Sequence, residues 1–150
     1  PAHPPPGPGP VAGGCLAGFA FGTVPAATLA ALARAGRLRL TPWRMLFLEG
    51  AASLPDLPGL IGDAADPMLR VHACAGAPFC LQAHRPTRAL ARRLAPLLPE
   101  GAVLHVSGCD KHCARPPRAD VTLTATPEGY MPCDPARLPA AWLPLIAETS

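Results

Sequence analysis

Two short cysteine-bearing stretches decide the fold of this chain: CAGAPFC at residues 74–80 and SGCDKHCARP at residues 107–116. The two cysteines of the first stretch are separated by five residues, and those of the second by three. Each stretch follows a short apolar run that predicts a strand, residues 69–73 before the first and 102–106 before the second. In α/β proteins the loops that follow strands usually carry the chemistry, so these four thiols are the candidate functional groups.

The spacing of the pairs favours an iron–sulfur cluster over a zinc site. Structural zinc sites usually use cysteine pairs separated by two to four residues, and the first pair here is wider. A cluster takes one thiolate per iron and so fits looser loops. Small residues at Gly76, Ala77 and Gly108 would let the backbone approach such a bulky group. On spacing alone, zinc, inert buried thiols and disulfides stay open. Cys15 and Cys133, outside the pattern, are interpreted as buried or incidental thiols.

Composition limits the remaining functions. The chain has 150 residues and a net charge of +3, from 13 Lys and Arg against 10 Asp and Glu, and only 5% of its residues are aromatic. That balance is too mild, and stacking side chains too scarce, to predict a nucleic-acid partner. No apolar run is long enough for a membrane span. Six cysteines without a visible export signal indicate a reducing compartment, and we expect a cytoplasmic protein.

The order of predicted elements is mixed α and β. Residues 1–14, which begin PAHPPPGPGP, are interpreted as an extended, solvated linker. Residues 15–50 predict a β-α-β unit, whose helix carries Leu29, Leu32 and Ala33 at helical spacing. Residues 51–150 predict a second domain of alternating strands and helices. The fold class is therefore α+β.

The motifs together resemble a known superfamily. The combination RLTPWR at 39–44, ACAGAPFC at 73–80, Thr87-Arg88 and LHVSGCDKHCARP at 104–116 resembles the sulfite and nitrite reductase superfamily, and within it the precorrin-3B synthase family. The resemblance covers roughly residues 15–130. It implies a ferredoxin-like half-domain at 15–50, followed at 51–150 by the mixed α/β iron–sulfur domain of that superfamily. Members consist of two pseudo-symmetric halves. This chain resembles the carboxy-terminal half, so a separate amino-terminal half is an expected partner.

The same resemblance implies cofactors and an activity. It implies a [4Fe-4S] cluster on Cys74, Cys80, Cys109 and Cys113, and oxidation of precorrin-3A to precorrin-3B with O2 and NADH in aerobic cobalamin biosynthesis. The partners would then be an anionic tetrapyrrole and an electron donor. A second, non-haem iron is conceivable, with ligands among three histidines: His72, His105 and His112.

Carboxylates on the tetrapyrrole call for cationic and hydrogen-bonding side chains. The resemblance implies that Arg39, Thr41 and Arg44 bind this carboxylate fringe from the half-domain, and that Lys111 reaches it from the second cysteine loop. Phe79 and His112 stand where related sequences more often have small residues.

Three other functions are compatible with the sequence. One is a fragment of a siroheme-dependent sulfite or nitrite reductase, although Asp110-Lys111 replaces the Pro-Asn typical of those enzymes. Another is a non-catalytic iron–sulfur module for electron transfer, which would have no use for Arg39 and Arg44. The last is a zinc-stabilised binding domain, which would be colourless.

Overall fold

The computed structural model describes residues 5–148, and the chain divides into two compact units between Leu69 and Arg70. This division lies beyond the boundary after residue 50 that the sequence predicted. The residues between belong to the first unit, because the short strand Leu60–Ile61 pairs with the strand Gly14–Phe19. Each unit has its own sheet, so the predicted α+β class is confirmed.

Among its described residues, from residue 5 onward, the first unit contains five strands and one α-helix. The elements are β1 (Gly9–Val11), β2 (Gly14–Phe19), a 3-10 turn (Ala20–Gly22), α1 (Ala26–Ala35), β3 (Leu38–Leu40), β4 (Leu46–Glu49) and β5 (Leu60–Ile61). All pairings are antiparallel, in the order β1-β2-β4-β3, with β5 on β2. Strands β2 and β3 therefore run parallel, and helix α1 connects them. The predicted β-α-β unit is thus present, with β4 inserted between its two strands.

The predicted linker contains regular structure. Residues 9–14 form β1 and the turn into β2, so the linker prediction is wrong there, and residues 1–4 lie outside the described residues. Proline is tolerated in β1 because it is an edge strand. Gly14 starts β2 at φ +159, and a Cβ at this position would lie 2.2 Å from the Leu48 carbonyl oxygen. Only glycine allows β2 to approach β4 so closely.

Helix α1 covers one face of this sheet. Its buried residues are Thr28 and Leu32, whereas Leu29 is 40% exposed, so the predicted stripe is rotated. Burial of the polar Thr28 side chain is tolerated because its hydroxyl donates a hydrogen bond to the Pro58 carbonyl at 2.8 Å. Leu32 packs among core residues contributed by β2 and β4: Ala17, Phe19, Leu46 and Leu48.

The second unit is built on a mostly parallel sheet. Its elements are a 3-10 turn (Pro67–Arg70) at the junction, β6 (Val71–Ala73), α2 (Arg88–Leu94), a 3-10 turn (Ala95–Leu97), β7 (Leu104–Ser107), β8 (Val121–Thr126), β9 (Gly129–Pro132), 3-10 turns at Pro135–Arg137 and Ala140–Trp142, and α3 (Leu143–Ala147). Strands β6, β7 and β8 are parallel in that order, and β9 returns antiparallel to β8.

Helix α2 provides the main cover of this sheet. Leu90 and Leu94 are almost fully buried, as are Leu104 and Leu123 on the strands and Trp142 from the carboxy-terminal segment. Helix α2 begins only at Arg88, because Pro86 interrupts the apolar segment that precedes it. Within residues 5–148 no helix combines the length and apolarity needed to cross a bilayer.

Candidate functional site

The two cysteine loops leave adjacent parallel strands at the same edge of the sheet. Cys74 directly follows β6, and Cys109 comes two residues after β7 ends at Ser107. The Cys74 N–H continues the ladder by donating to the Val106 carbonyl at 3.3 Å. The Gly108 N–H donates to the Cys74 Sγ at 3.2 Å, so the second loop hydrogen-bonds the first sulfur of the other loop. Parallel pairing thus brings together two motifs distant in sequence.

Two glycines allow the loops to approach closely. A Cβ at Gly108 would lie 2.6 Å from the Ala83 Cβ and 3.4 Å from the Gly76 Cα. Gly76 has φ +67, and a Cβ there would lie 2.6 Å from both the backbone nitrogen and the hydroxyl of Thr87. The His84 N–H also donates to the Gly108 carbonyl at 2.8 Å. Side chains at either glycine would push the loops apart.

Thr87 joins the first loop to helix α2. It stands at the N-cap position, but its hydroxyl makes no cap bond and donates instead to the Cys74 carbonyl at 2.7 Å. The side chain is fully buried. The helix therefore holds the backbone of the first cysteine.

The far end of the first loop is fixed to β8 and β9. The Arg85 guanidinium donates to the carbonyls of Thr126 at 3.1 Å and Pro127 at 2.7 Å. The Tyr130 hydroxyl donates to the Pro86 carbonyl, and burial raises the pKa of Tyr130, so the phenol keeps its proton. Sequence reasoning missed both residues. An arginine and a tyrosine give no local signal that they bind carbonyls more than forty residues away.

The four predicted thiols differ in burial. Cys109 is 8% exposed, Cys74 and Cys80 are half-buried, and Cys113 is exposed; all four are free. The Ser107 hydroxyl donates to the Cys109 carbonyl at 2.7 Å, and the Cys80 N–H donates to the Gly76 carbonyl at 2.9 Å. The loops are therefore internally hydrogen-bonded, and their cysteines range from buried to exposed.

Among residues 5–148, no three His, Cys, Asp or Glu side chains converge closely enough to hold one metal ion. A cluster needs a different arrangement, with each sulfur on a separate iron. The free thiols on two loops that meet at one edge of the sheet, and the N–H bond to Cys74 Sγ, fit such a group.

The three histidines considered as ligands of a second iron lie close to one another. His72 and His105 are register partners on β6 and β7, and the rings of His105 and His112 meet edge-on with centroids 5.6 Å apart. His105 is fully buried, and neither of its ring nitrogens has a hydrogen-bond partner among the described residues. Burial, and then the nearby His112, His72 and Arg115, lower the pKa of His105 to about 4. His105 is therefore a neutral imidazole at physiological pH.

The predicted substrate residues are divided between the units, Arg39, Thr41 and Arg44 in the first and Lys111 in the second. Arg39 forms an ion pair with Glu49, and the Thr41 hydroxyl donates to the Met45 carbonyl at 2.8 Å. Thr41 is therefore part of a turn. Arg44 and Lys111 are exposed.

An apolar groove of about 490 Å³ lies beside this turn. Arg39 and Thr41 contribute to its wall, together with the exposed side chains of Leu40 and Trp43. The sequence did not predict this groove. Alternating residues indicate that one side of a strand faces solvent, but they do not indicate which neighbouring residues form a groove there.

The two cysteines outside the motifs differ in their surroundings. Cys15 is fully buried in β2 and its thiol donates to the Ala51 carbonyl at 3.3 Å, as expected of a structural thiol. Cys133 is exposed, and its Sγ lies 3.5 Å from the Thr124 hydroxyl.

Similarity to one curated protein agrees with the sequence motifs. No protein-family model matches the chain. Among solved structures, the NirA protein of Mycobacterium tuberculosis matches 69% of this chain and 24% of its own, with 25% identity and a TM-score of 0.47. Among curated proteins, precorrin-3B synthase from Sinorhizobium sp is 36% identical over 131 residues. That match covers 75% of this chain, which spans only 28% of the length of the relative. The chain is therefore a sequence relative of precorrin-3B synthase, as its cysteine motifs predicted.

Proposed function

We propose that this chain is the cluster-bearing part of a precorrin-3B synthase-type oxidoreductase, which converts precorrin-3A to precorrin-3B with O2 and NADH in the cobalamin pathway. The observation that carries the proposal is the meeting of the two cysteine loops at the ends of β6 and β7, with Gly108 N–H donating to Cys74 Sγ. The similarity to precorrin-3B synthase supports an oxidoreductase of this type.

In this proposal Cys74, Cys80, Cys109 and Cys113 hold a [4Fe-4S] cluster, which would supply electrons one at a time. The chain's own residues orient the sulfurs. Thr87 holds the Cys74 carbonyl, Ser107 holds the Cys109 carbonyl, and Gly108 donates to the Cys74 sulfur. Hydrogen bonds of this kind, to a ligand or to its backbone, fix the orientation of metal ligands.

The proposed substrate is a tetrapyrrole whose carboxylates are bound by exposed cations. Arg44 and Lys111 suit this role because both side chains reach solvent. Arg39 is proposed to contribute from its ion pair with Glu49, and Thr41 by keeping the turn between Arg39 and Arg44 in shape. An amino-terminal half and an electron donor are proposed as the remaining partners. A second, non-haem iron stays a proposal without assigned ligands.

The first experiment measures iron, acid-labile sulfide and zinc in the 150-residue chain purified without oxygen, with EPR spectra after dithionite reduction. About four irons and four sulfides per chain are expected for a cubane on four thiolates. Cys74→Ser should abolish the EPR signal, whereas Cys133→Ser, at a cysteine outside the motifs, should retain it. One zinc per chain and no colour would overturn the proposal. A bound tetrapyrrole absorption in the same sample would favour a siroheme-dependent reductase instead.

A non-catalytic electron-transfer module is the second candidate, and one observation favours it. Arg39 forms an ion pair with Glu49, and the Thr41 hydroxyl donates within its own turn, so both side chains already have partners in the first unit. Uroporphyrin, which carries acetate and propionate groups, is a suitable probe. Fluorescence titration should show binding that Arg44→Ala weakens. Absence of binding to the cluster-loaded chain would favour the electron-transfer module.

A further inference from the structure

The second cysteine loop contains a residue in a backbone conformation that favours glycine. His112, directly before Cys113, has φ +51. A non-glycine residue in this left-handed region is under local strain and persists where its surroundings over-determine it. Glycine would adopt the conformation without strain. Contacts made by the imidazole contribute to holding His112 in this conformation.

Those contacts reach two neighbouring strands. The His112 Nε2 lies 2.8 Å from the hydroxyl of Thr124 on β8. Its ring meets the ring of His105 on β7 edge-on, at an interplanar angle of 89°. His105 is fully buried and therefore gives the His112 ring a rigid surface. The backbone is engaged too, because the Arg115 N–H donates to the His112 carbonyl at 3.0 Å.

We propose that His112 is a positioning residue that clamps the loop carrying Cys109 and Cys113 onto β7 and β8. The inference rests on the proposed function, since it takes these two cysteines as cluster ligands. The loop leaves the sheet after β7, and the His112–Thr124 hydrogen bond ties its far end to β8. The imidazole supplies that contact one residue before Cys113. It thereby fixes the direction in which the Cys113 thiol is presented.

Partners that orient metal ligands in this way alter metal retention when they are removed. Thr124→Val deletes the hydroxyl that His112 meets and leaves the backbone at residue 112 unchanged. Thr124→Ser keeps the hydroxyl and is the conservative control. Cys133→Ala removes the other neighbour of Thr124, the Cys133 thiol at 3.5 Å, and controls for that contact.

The test measures iron release to a chelator without oxygen, together with the EPR signal of the reduced cluster. Thr124→Val is expected to lose iron roughly tenfold faster than the parent, with an altered EPR line shape. Thr124→Ser and Cys133→Ala should behave as the parent. His112→Gly should also release iron faster, although it relieves the backbone strain. Release from Thr124→Val at the parent rate, or slower release from His112→Gly, would overturn the proposal.

A second readout separates failure of the clamp from failure of the proposed function. If the parent chain binds no iron, the cluster assignment is wrong, and the clamp is then tested on the metal-free chain. The buried Cys109 thiol reports loop opening through its rate of alkylation by iodoacetamide. Loss of the Thr124 contact should raise that rate roughly tenfold, with restoration in Thr124→Ser. An unchanged alkylation rate would overturn the clamp independently of the cluster.

Discussion

The buried imidazole of His105 makes the stability of the second unit depend on pH. In the unfolded chain this group has its ordinary pKa of 6.5, whereas in the folded chain burial and neighbouring positive charge lower its pKa to about 4. Between these two values the unfolded chain binds a proton that the folded chain does not. The contribution of His105 to the free energy of unfolding is therefore complete above pH 6.5. It decreases as the pH drops towards 4 and does not change further below that pH.

The size of the effect follows from the two pKa values. Each pKa unit corresponds to about 1.4 kcal/mol, so His105 would reduce the free energy of unfolding by about 3 kcal/mol between pH 6.5 and 4. His105→Phe keeps an aromatic ring against His112 but cannot take up a proton. It also removes two buried nitrogens that have no partner among the described residues, each costing about 1–3 kcal/mol. At pH 7.5 the variant should therefore be at least as stable as the parent.

The assay is urea unfolding of the metal-free chain at several pH values between 4 and 7.5. Trp142 is fully buried in the second unit, so its fluorescence in a Trp43→Phe background reports on that unit. The parent should lose more stability on acidification than His105→Phe does, and the difference isolates His105 from the other histidines. Equal pH dependence in the two proteins would refute the assignment of a neutral, buried His105.

Three further predictions concern packing. Gly76→Ala should destabilise the second unit by about 2 kcal/mol more than Gly101→Ala, measured by urea unfolding, because the two glycines have similar positive φ but only Gly76 faces atoms at 2.6 Å. Similar losses for the pair would mean that Thr87 yields to the new methyl group. Thr87→Val should cost about 1–3 kcal/mol and speed alkylation of Cys74, because a buried carbonyl loses its donor; Thr87→Ser is the control. Leu32→Ala should cost about 2–5 kcal/mol in the first unit, whereas Leu29→Ala, at an exposed position, should cost far less.

Some features of the fold could be read from local sequence patterns. Strand β8 at Val121–Thr126 is marked locally by alternating residues and by the Pro-Glu-Gly turn that follows it. The late start of α2 is also marked locally, by Pro86 shortly before it. Other features depended on pairing. The strand Gly9–Val11 was missed because its proline-rich composition is typical of a linker, and only the free edge of β2 provides its hydrogen bonds.

The sequence by itself determined where the four cysteines stand relative to strands β6 and β7, and it identified the relationship to precorrin-3B synthase. Strand periodicity and motif spacing are local properties, so both are visible without a structure. Only the tertiary structure decided how the loops are held. Thr87 binds Cys74 instead of capping α2, and His112 reaches Thr124 across the sheet. Each of these contacts joins residues more than ten positions apart, and its geometry exists only once the parallel strands have paired.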